Sequence, residues 1–300
     1  QDVTLRFKRL FIAALLHDIG KPASRSLDGD RVLFNGHSGI SALLSHNIID
    51  SLDDTLSFHD KIHILQLINY HQVLFAISDR STGKAIHKLA NKFVGQKELF
   101  DDILLLRKLD FLGNISIDSD NINYVKLNQV EELVNSSVAP HWIDELNKPF
   151  MTILVGLPCS GKDHYLENEW ANPKVISRDD IVMEFAEEGV SYSDAFKQVD
   201  QPAVDAEFEV RFQNLLKAKE SFFVNRTNLT HKGRMKFINR ARQAGFKTKV
   251  TVFFPNLPVI AERNENRPGK VIPDFVFNNM MKSFEMPFAN EGEINYIFNY

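Results

Sequence analysis

Up to about residue 135, apolar side chains recur at spacings of three and four, as in "DKIHILQLINYHQVLF" and "LFDDILLLRKLDFLG", and little reads as a strand. The opening run "LRFKRLFIAALL" is apolar enough for a core helix. His17 and Asp18, in the stretch "LLHDIGKPASRSLDGD" that follows, therefore arrive on rigid backbone, with Gly20 and Pro22 expected to stop the helix. From Met151 the period changes. "MTILVGL", "KVIS", "SFFVN" and "KTKVTVFF" are short β-rich runs separated by helical stretches, the alternation of a parallel sheet covered by helices. Between the two patterns lies "NSSVAPHWIDELNKPF", which carries Pro140 and Pro149 and reads as a linker. The expected architecture is an all-α domain over residues 1–135, a linker over 136–149 and an α/β domain with a parallel sheet over 150–300.

Composition agrees with two domains, since 300 residues is long for a single core and suits two of about 150 residues each. Hydrophobic residues make up 44% of the chain, and no uninterrupted apolar run is long enough to cross a bilayer, so no membrane partner is expected. The single cysteine, Cys159, excludes an internal disulfide and fits a reducing compartment. With no secretory pattern at the start, the expected location is the cytoplasm of a bacterial or phage-infected cell. A first residue of Gln1 rather than Met suggests a trimmed chain whose start lies upstream.

The segment "GLPCSGKD" fits G-x-x-x-x-G-K directly after the strand "MTILV" and before a helical stretch, the context a phosphate-binding P-loop requires. Gly156, Pro158, Ser160 and Gly161 would shape a loop whose N–H groups face phosphate, and Lys162 would neutralise the β and γ oxygens. Asp163 stands where a Ser or Thr would ordinarily hold Mg²⁺, and its carboxylate could bind the ion directly or through water. The expected ligands are ATP, or another nucleoside triphosphate, with Mg²⁺. In "VISRDD", Asp179 falls at the C-terminal end of a strand, where a carboxylate can accept the proton of an attacking hydroxyl. "ERNENRPGKVIP" puts Arg263 and Arg267 on a polar segment suited to a lid that brings guanidinium charge to a transferring phosphoryl group.

In this order, "GLPCSGKD", "SRDD", "NRTNLT" and "RNENRPGKVIP" resemble the phage-type 5′-hydroxyl polynucleotide kinases over about residues 151–299. The resemblance implies that Lys162 binds phosphate, Asp179 is the general base for the 5′-hydroxyl and Arg267 is the lid arginine. Two positions depart from that pattern: Asn225 replaces an Asp, and Val182 replaces an arginine. Between Asn225 and Lys249 the chain has eight Lys or Arg residues and no acid, a block able to follow a phosphate backbone, although a solvated helix face would read the same way.

In the helical half, His17 can bind a metal through imidazole and Asp18 through oxygen. His37 in "FNGHSG", His71 in "NYHQ" and Asp110 in "LLRKLDFLGN" join them as candidates. Together they resemble the HD phosphohydrolase family, in the version found in bacterial tRNA nucleotidyltransferases, over about residues 3–115. The resemblance implies a first metal on His17, Asp18 and Asp110, with His37 and His71 serving a second metal or the phosphate, and a further histidine upstream of Gln1. Lys21 is placed to meet phosphate charge. Imidazole and carboxylate without thiolate suit Mn²⁺, Ni²⁺, Co²⁺ or Mg²⁺. His46, His59, His63 and His87 fall outside these motifs and read as surface or satisfied core residues.

The two halves together look like the bifunctional end-healing enzymes that pair an HD domain with a polynucleotide kinase. The function expected from that likeness is phosphorylation of 5′-hydroxyl RNA or DNA ends and metal-dependent removal of 2′,3′-cyclic, 2′ or 3′ phosphates, in partnership with a nucleic-acid ligase. Two alternatives stay open. One is a small-molecule or nucleoside kinase joined to an HD nucleotide phosphohydrolase. The other is a polynucleotide kinase whose HD half is a non-catalytic RNA-binding module.

Overall fold

Helical periodicity over the first half and strand-helix alternation over the second each close on their own apolar core. The computed structural model describes residues 3–52, 55–113, 123–138, 148–254 and 256–298. The linker sequence lies mostly outside these, over 139–147. The chain divides into two compact units: Gln1–His141 with Met281–Asn290, and Trp142–Met280 with Glu291–Tyr300.

The first unit is built from α1 (Val3–Leu16), α2 (Lys21–Ser24), the antiparallel hairpin β1 (Ser26–Asp28) and β2 (Arg31–Leu33), α3 (His37–Leu52), α4 (Phe58–Tyr70), α5 (Gly83–Lys92), α6 (Lys97–Gly113) and α7 (Tyr124–Asn135). The central helix is α4, whose start is set by a capping box between Ser57 and Asp60 and whose Ile62, Ile64, Leu65, Leu67 and Ile68 are all buried. It ends at Tyr70, with His71 as C-cap, so the helical period that runs on in sequence to Phe75 breaks into a short turn.

Two local expectations are corrected. Helix α1 is not wholly in the core: Leu10, Ile12, Ala13 and Leu16 are buried, while Val3, Phe7, Phe11 and Leu15 form an exposed stripe on the opposite side. Nor does Gly20 close α1. The helix ends at Leu16, and Gly20 precedes α2 with an ordinary φ of −81°, so its need for glycine is steric. A Cβ there would lie 2.5 Å from the His37 carbonyl oxygen and 2.7 Å from Ser41 N. That close approach, closed by a hydrogen bond from Gly20 N to Ser41 Oγ, presses the His17–Asp18 turn against the start of α3.

Residues 281–290 come from the far end of the chain but pack on these helices. Phe284, Met286 and Phe288 are buried, and Phe288 stacks on Tyr70 with ring centroids 4.4 Å apart. Because this stretch is irregular, its backbone polar groups need side-chain partners: Asn69 donates to Phe284 O and accepts from Met286 N, and Tyr70 Oη donates to Pro287 O.

The second unit carries a five-stranded, wholly parallel sheet formed by β3 (Phe150–Val155), β4 (Val175–Ser177), β5 (Phe222–Asn225), β6 (Lys247–Phe254) and β7 (Glu293–Phe298). The order is β4-β5-β3-β6-β7. The chain leaves β3 for β4 on one side and, after β5, crosses to β6 on the other, so the C-terminal end of β3 lies at the topological switch point where ligands bind in such sheets. Its helices are α8 (Lys162–Glu169), α9 (Arg178–Phe185), α10 (Tyr192–Gln198), α11 (Gln201–Ala218), α12 (His231–Gln243), α13 (Leu257–Glu265) and α14 (Asp274–Lys282), whose last two residues belong to the first unit. β3 reads as a continuous apolar run because helices cover both faces: Met151, Ile153, Leu154 and Val155 are fully buried.

Candidate functional site

In the second unit the β3 strand delivers the chain into the loop Gly156–Gly161. A Cβ on Gly156 would lie 2.6 Å from Ser160 Oγ, so a larger residue would displace the hydroxyl to which Lys162 donates. At the other end Gly161, with φ +90°, turns the backbone into α8. Lys162 is buried within this loop, its Nζ donating to Gly156 O (3.0 Å), Leu157 O (2.7 Å) and Ser160 Oγ (3.2 Å). Burial pushes its ammonium down to about 8, and the Asp163 and Asp179 carboxylates oppose that fall. The loop thus holds a cation and the positive end of a helix at one point, an arrangement that attracts phosphate.

Around it lie the other predicted residues. Asp163, in the first turn of α8, accepts from Asn225 Nδ2 at 2.6 Å, so the carboxylate that stands in the usual Ser or Thr position meets the Asn that replaces an Asp. Asp179, in the first turn of α9, accepts from Tyr192 Oη at 2.8 Å and Lys270 Nζ at 2.7 Å. Burial opposes its ionisation, but Lys270 and Tyr192 outweigh that and hold the carboxyl below its usual range, as an ionised proton acceptor requires. Arg263 donates to Cys159 O at 3.2 Å, and Arg267 reaches Cys159 Sγ at 3.5 Å, so both arginines meet the P-loop. Pro158 lies in the same loop, between the residues that bind Lys162. Val182 is fully buried in α9.

Tyr192 and Lys270 were not singled out from the sequence. Lys270 follows the Pro268-Gly269 turn, whose only sequence signal was a lysine in a polar segment. The turn itself brings it in: Gly269 takes φ +70° and accepts from Ser193 N at 2.9 Å, beside Tyr192.

The basic block changes character in three dimensions. Arg234 is fully buried and donates Nε to Glu291 Oε2 (2.6 Å) and Nη2 to Glu291 Oε1 (2.9 Å), while its Nη1 holds Asn228 O and Leu229 O. Arg240 pairs with Glu209, and Arg242 donates to Thr248 Oγ1. A run without acids of its own thus meets acids from elsewhere in the chain, and these arginines serve the fold. Arg234 in particular braces the 226–229 loop, whose Thr227 O accepts from Gly156 N.

In the first unit His17 and Asp18 from the α1–α2 turn, His37 from the start of α3, His71 from the C-cap of α4 and Asp110 from α6 come together. Asp18 joins two groups of three, one with His37 and His71 and one with His17 and Asp110; in each, the potential ligand atoms lie within 4.8 Å of one another. Each histidine directs Nδ1 to the carbonyl three residues earlier: His17 to Ala14 O (2.8 Å), His37 to Phe34 O (2.7 Å) and His71 to Ile68 O (2.7 Å). An Nδ1–H committed to a carbonyl leaves Nε2 as the lone-pair nitrogen of the neutral ring.

Those Nε2 atoms point inward. His37 Nε2 is 3.0 Å from His71 Nε2 and 3.1 Å from Asp18 Oδ1. His17 Nε2 is buried without a hydrogen-bond partner among the described residues, 3.3 Å from Asp18 Oδ2 and 3.5 Å from Asp110 Oδ1. Burial pushes His71 down to about 4, which keeps it neutral, whereas His17 is raised because the Asp110 and Asp18 carboxylates outweigh its burial. Imidazole lone pairs that face each other repel, and a proton or a shared cation between them removes the repulsion. Two nitrogens each about 2.1 Å from one ion at a right angle stand about 3.0 Å apart. By donor chemistry and spacing the set fits a divalent ion. Arg107 donates to Asp110 Oδ2 at 2.7 Å, and Lys21 donates to Asp18 Oδ2 at 2.5 Å. Of the histidines left aside, His63 donates to the buried Asp102 at 2.8 Å and His46 is buried, whereas His59 and His87 are exposed.

Residues 151–287 match the family described as AAA domain. No curated protein matches the chain. Similar solved structures include a candidate kinase from Chloroflexus aurantiacus J-10-fl (14% identity, 50% of this chain and 88% of that one, TM-score 0.39). Another is Chaetomium thermophilum Kti12 in complex with ADP-AlF3 (16% identity, 49% of this chain and 88% of that one, TM-score 0.36). Among the described residues no helix is long and apolar enough to cross a membrane. The parallel sheet, the P-loop at its switch point and the family match together make the second unit a P-loop α/β domain, whose phosphate loop implies a nucleotide.

Proposed function

We propose that the chain heals nucleic-acid ends, with the second unit transferring the γ-phosphoryl group of ATP to a 5′-hydroxyl of RNA or DNA. The observation that carries this reading is Asp179, an ionised carboxylate at the sheet's C-terminal edge, oriented by two donors and set beside the P-loop lysine. Asp179 accepts the proton of the attacking hydroxyl, and Lys162 and the loop N–H groups hold the β and γ oxygens. Arg267 and Arg263, already against the P-loop at Cys159, meet charge on the transferring group. Bound Mg²⁺ would offset phosphate charge, with Asp163 the carboxylate nearest the loop to hold it.

The first unit, on this reading, removes 2′,3′-cyclic, 2′ or 3′ phosphates as an HD-type phosphoesterase. His17, Asp18, His37, His71 and Asp110 would hold divalent ions, which would supply Lewis acidity and lower the pKa of water. Lys21 meets the phosphate, and Arg107 orients Asp110. A small-molecule kinase is the second reading, favoured by the engagement of Arg234 and Arg240 within the fold, which thins the basic surface.

One labelled RNA bearing a 5′-hydroxyl and a 2′,3′-cyclic phosphate tests both activities, incubated with ATP and Mg²⁺ or Mn²⁺. The expected result is reaction at both ends by the wild type, loss at the 5′ end alone in Lys162→Ala and loss at the 3′ end alone in Asp18→Ala. No 5′ labelling in either metal overturns the kinase reading. Preferential labelling of free nucleosides in competition with oligonucleotides selects the small-molecule reading instead.

A further inference from the structure

Asn69 and Tyr70, the two residues before the His71 C-cap, grip a segment some 215 positions further along the chain. Asn69 Nδ2 donates to Phe284 O (3.2 Å), Asn69 Oδ1 accepts from Met286 N (2.9 Å), and Tyr70 Oη donates to Pro287 O (2.8 Å). The same segment lies against the element that carries the facing histidine. Gly36 and Gly39 flank His37; a Cβ on Gly36 would lie 2.5 Å from Lys282 O, and one on Gly39 would lie 2.6 Å from Phe284 O and 2.8 Å from Met281 O. Phe284 O thus meets both elements, accepting from Asn69 of α4 and closing on Gly39 of α3.

These contacts bear on the metal ligands because His37 Nε2 and His71 Nε2 stand 3.0 Å apart, with Asp18 Oδ1 3.1 Å from the former. Each ring is already fixed against its own preceding turn through Nδ1, so the separation of the two nitrogens follows from how the start of α3 seats against the end of α4. Gly20 closes on His37 O and Ser41 N, and residues 281–284 close on Gly36 and Gly39, so the first turn of α3 is held by two segments. The closing atoms of the second segment are backbone carbonyls, which do not swing aside as a side-chain end can. The segment itself is anchored: Phe284, Met286 and Phe288 are buried, and the Phe288 ring stacks on Tyr70 and lies 4.2 Å beneath Lys92 Nζ.

We propose that residues 281–290 are a positioning strap of the candidate metal centre: they fix the separation of His37 and His71, and with it the affinity of the Asp18–His37–His71 group for a divalent ion. The inference rests on the metal reading of that group and adds the part of the chain that completes it, since the unit carrying the ligands is closed by residues from the far end of the chain. Asn69 is then a positioning residue, acting on His37 and His71 through the strap and touching neither ion nor substrate.

The test titrates the metal-stripped full chain with Mn²⁺ by calorimetry, comparing wild type, His71→Ala, Asn69→Ala, Tyr70→Phe and Val130→Ala, each also followed by thermal melting. His71→Ala identifies the ion by weakening it. Asn69→Ala takes the side-chain partner from Phe284 O and Met286 N, and is expected to raise the Kd of that ion about tenfold or more, the usual cost of losing a residue that orients a ligand. Tyr70→Phe keeps the Phe288 stack and removes the bond to Pro287 O; it is expected to raise the Kd by a smaller factor, and it carries the test if Asn69→Ala does not fold. Val130 is buried in α7, which supplies no ligand, so Val130→Ala lowers the unit's melting temperature at a residue outside these contacts and should leave the Kd at the wild-type value. An unchanged Kd in the folded strap variants, or the same rise in Val130→Ala, overturns the strap. If His71→Ala binds Mn²⁺ no differently from the wild type, the metal reading itself fails; if it binds more weakly and the strap variants match the wild type, only this inference fails.

Discussion

The P-loop site takes Gly156 to Asp163 from one short stretch at one strand end, whereas the five candidate ligands of the first unit come from the turn after α1, the start of α3, the C-cap of α4 and α6. In the former, phosphate-binding groups are mostly backbone N–H and one lysine, so their geometry follows from a local run of residues. In the latter, every ligand is a side chain whose position depends on helix packing. The helices converge because their buried faces meet around α4, and the histidines are oriented because each Nδ1 finds a carbonyl in its own preceding turn. One site is therefore robust to changes in distant packing, and the other is exposed to them.

The largest effect expected on this contrast is a chemical one confined to the second unit. Asp179→Asn removes the proton acceptor and leaves Tyr192 and Lys270 in place, and 5′ phosphorylation should fall roughly 10²–10⁴-fold. Removal of terminal phosphates by the first unit should stay at the wild-type rate. Assays of both ends on one substrate read the two numbers together, and a parallel fall in both would erase the distinction between the sites.

Gly20→Ala should give a smaller effect with a different origin. The new methyl group meets the backbone of His37 and Ser41, which has little room to yield, and overpacking of this kind costs about 1–3 kcal/mol. Thermal unfolding should show that loss, and Mn²⁺ affinity and phosphoesterase rate should drop with it, while the kinase is untouched. A variant with unaltered metal affinity would mean that the Asp18 turn does not need its close seat on α3.

The smallest effect concerns pH. The Lys162 ammonium lies lower than a free lysine because it is buried, with Asp163, Asp179 and Cys159 raising it and Arg267 lowering it. Below about 8 the ammonium is charged and draws phosphate; above that, the loop loses its cation. Nucleotide Kd measured from pH 7 to 9 should rise, by about tenfold per unit at most, and binding should take up a proton near the upper end. For the ligand-free fold the sign is opposite. The unfolded chain binds more protons than the folded one between about 8 and the ordinary lysine value, so the burial penalty of Lys162 is fully present below that range and fades through it.

Much of this was legible in the residues. "GLPCSGKD" after "MTILV" located the phosphate loop, and the change from helical to strand period at Met151 located the sheet, because both are local patterns with local causes. The five candidate metal ligands were legible through the company they keep along the chain. Tyr192 and Lys270 were not, since nothing local marks a tyrosine and a lysine some eighty residues apart as partners of one carboxylate. The exposed stripe of α1 was hidden for a related reason: apolar residues all round a helix read as core, and only the neighbours say which side is covered.

By itself, then, the amino-acid sequence determined the elements, the phosphate loop and the residue types able to bind metal, since these follow from backbone sterics, side-chain periodicity and donor chemistry. The tertiary structure decided the partners. It spent Arg234 on the buried Glu291, brought Tyr192 and Lys270 to Asp179, and sent residues 281–290 into the helical unit. Charge pairing and burial depend on which chain segments meet in space, and that is not a property of any short run of residues.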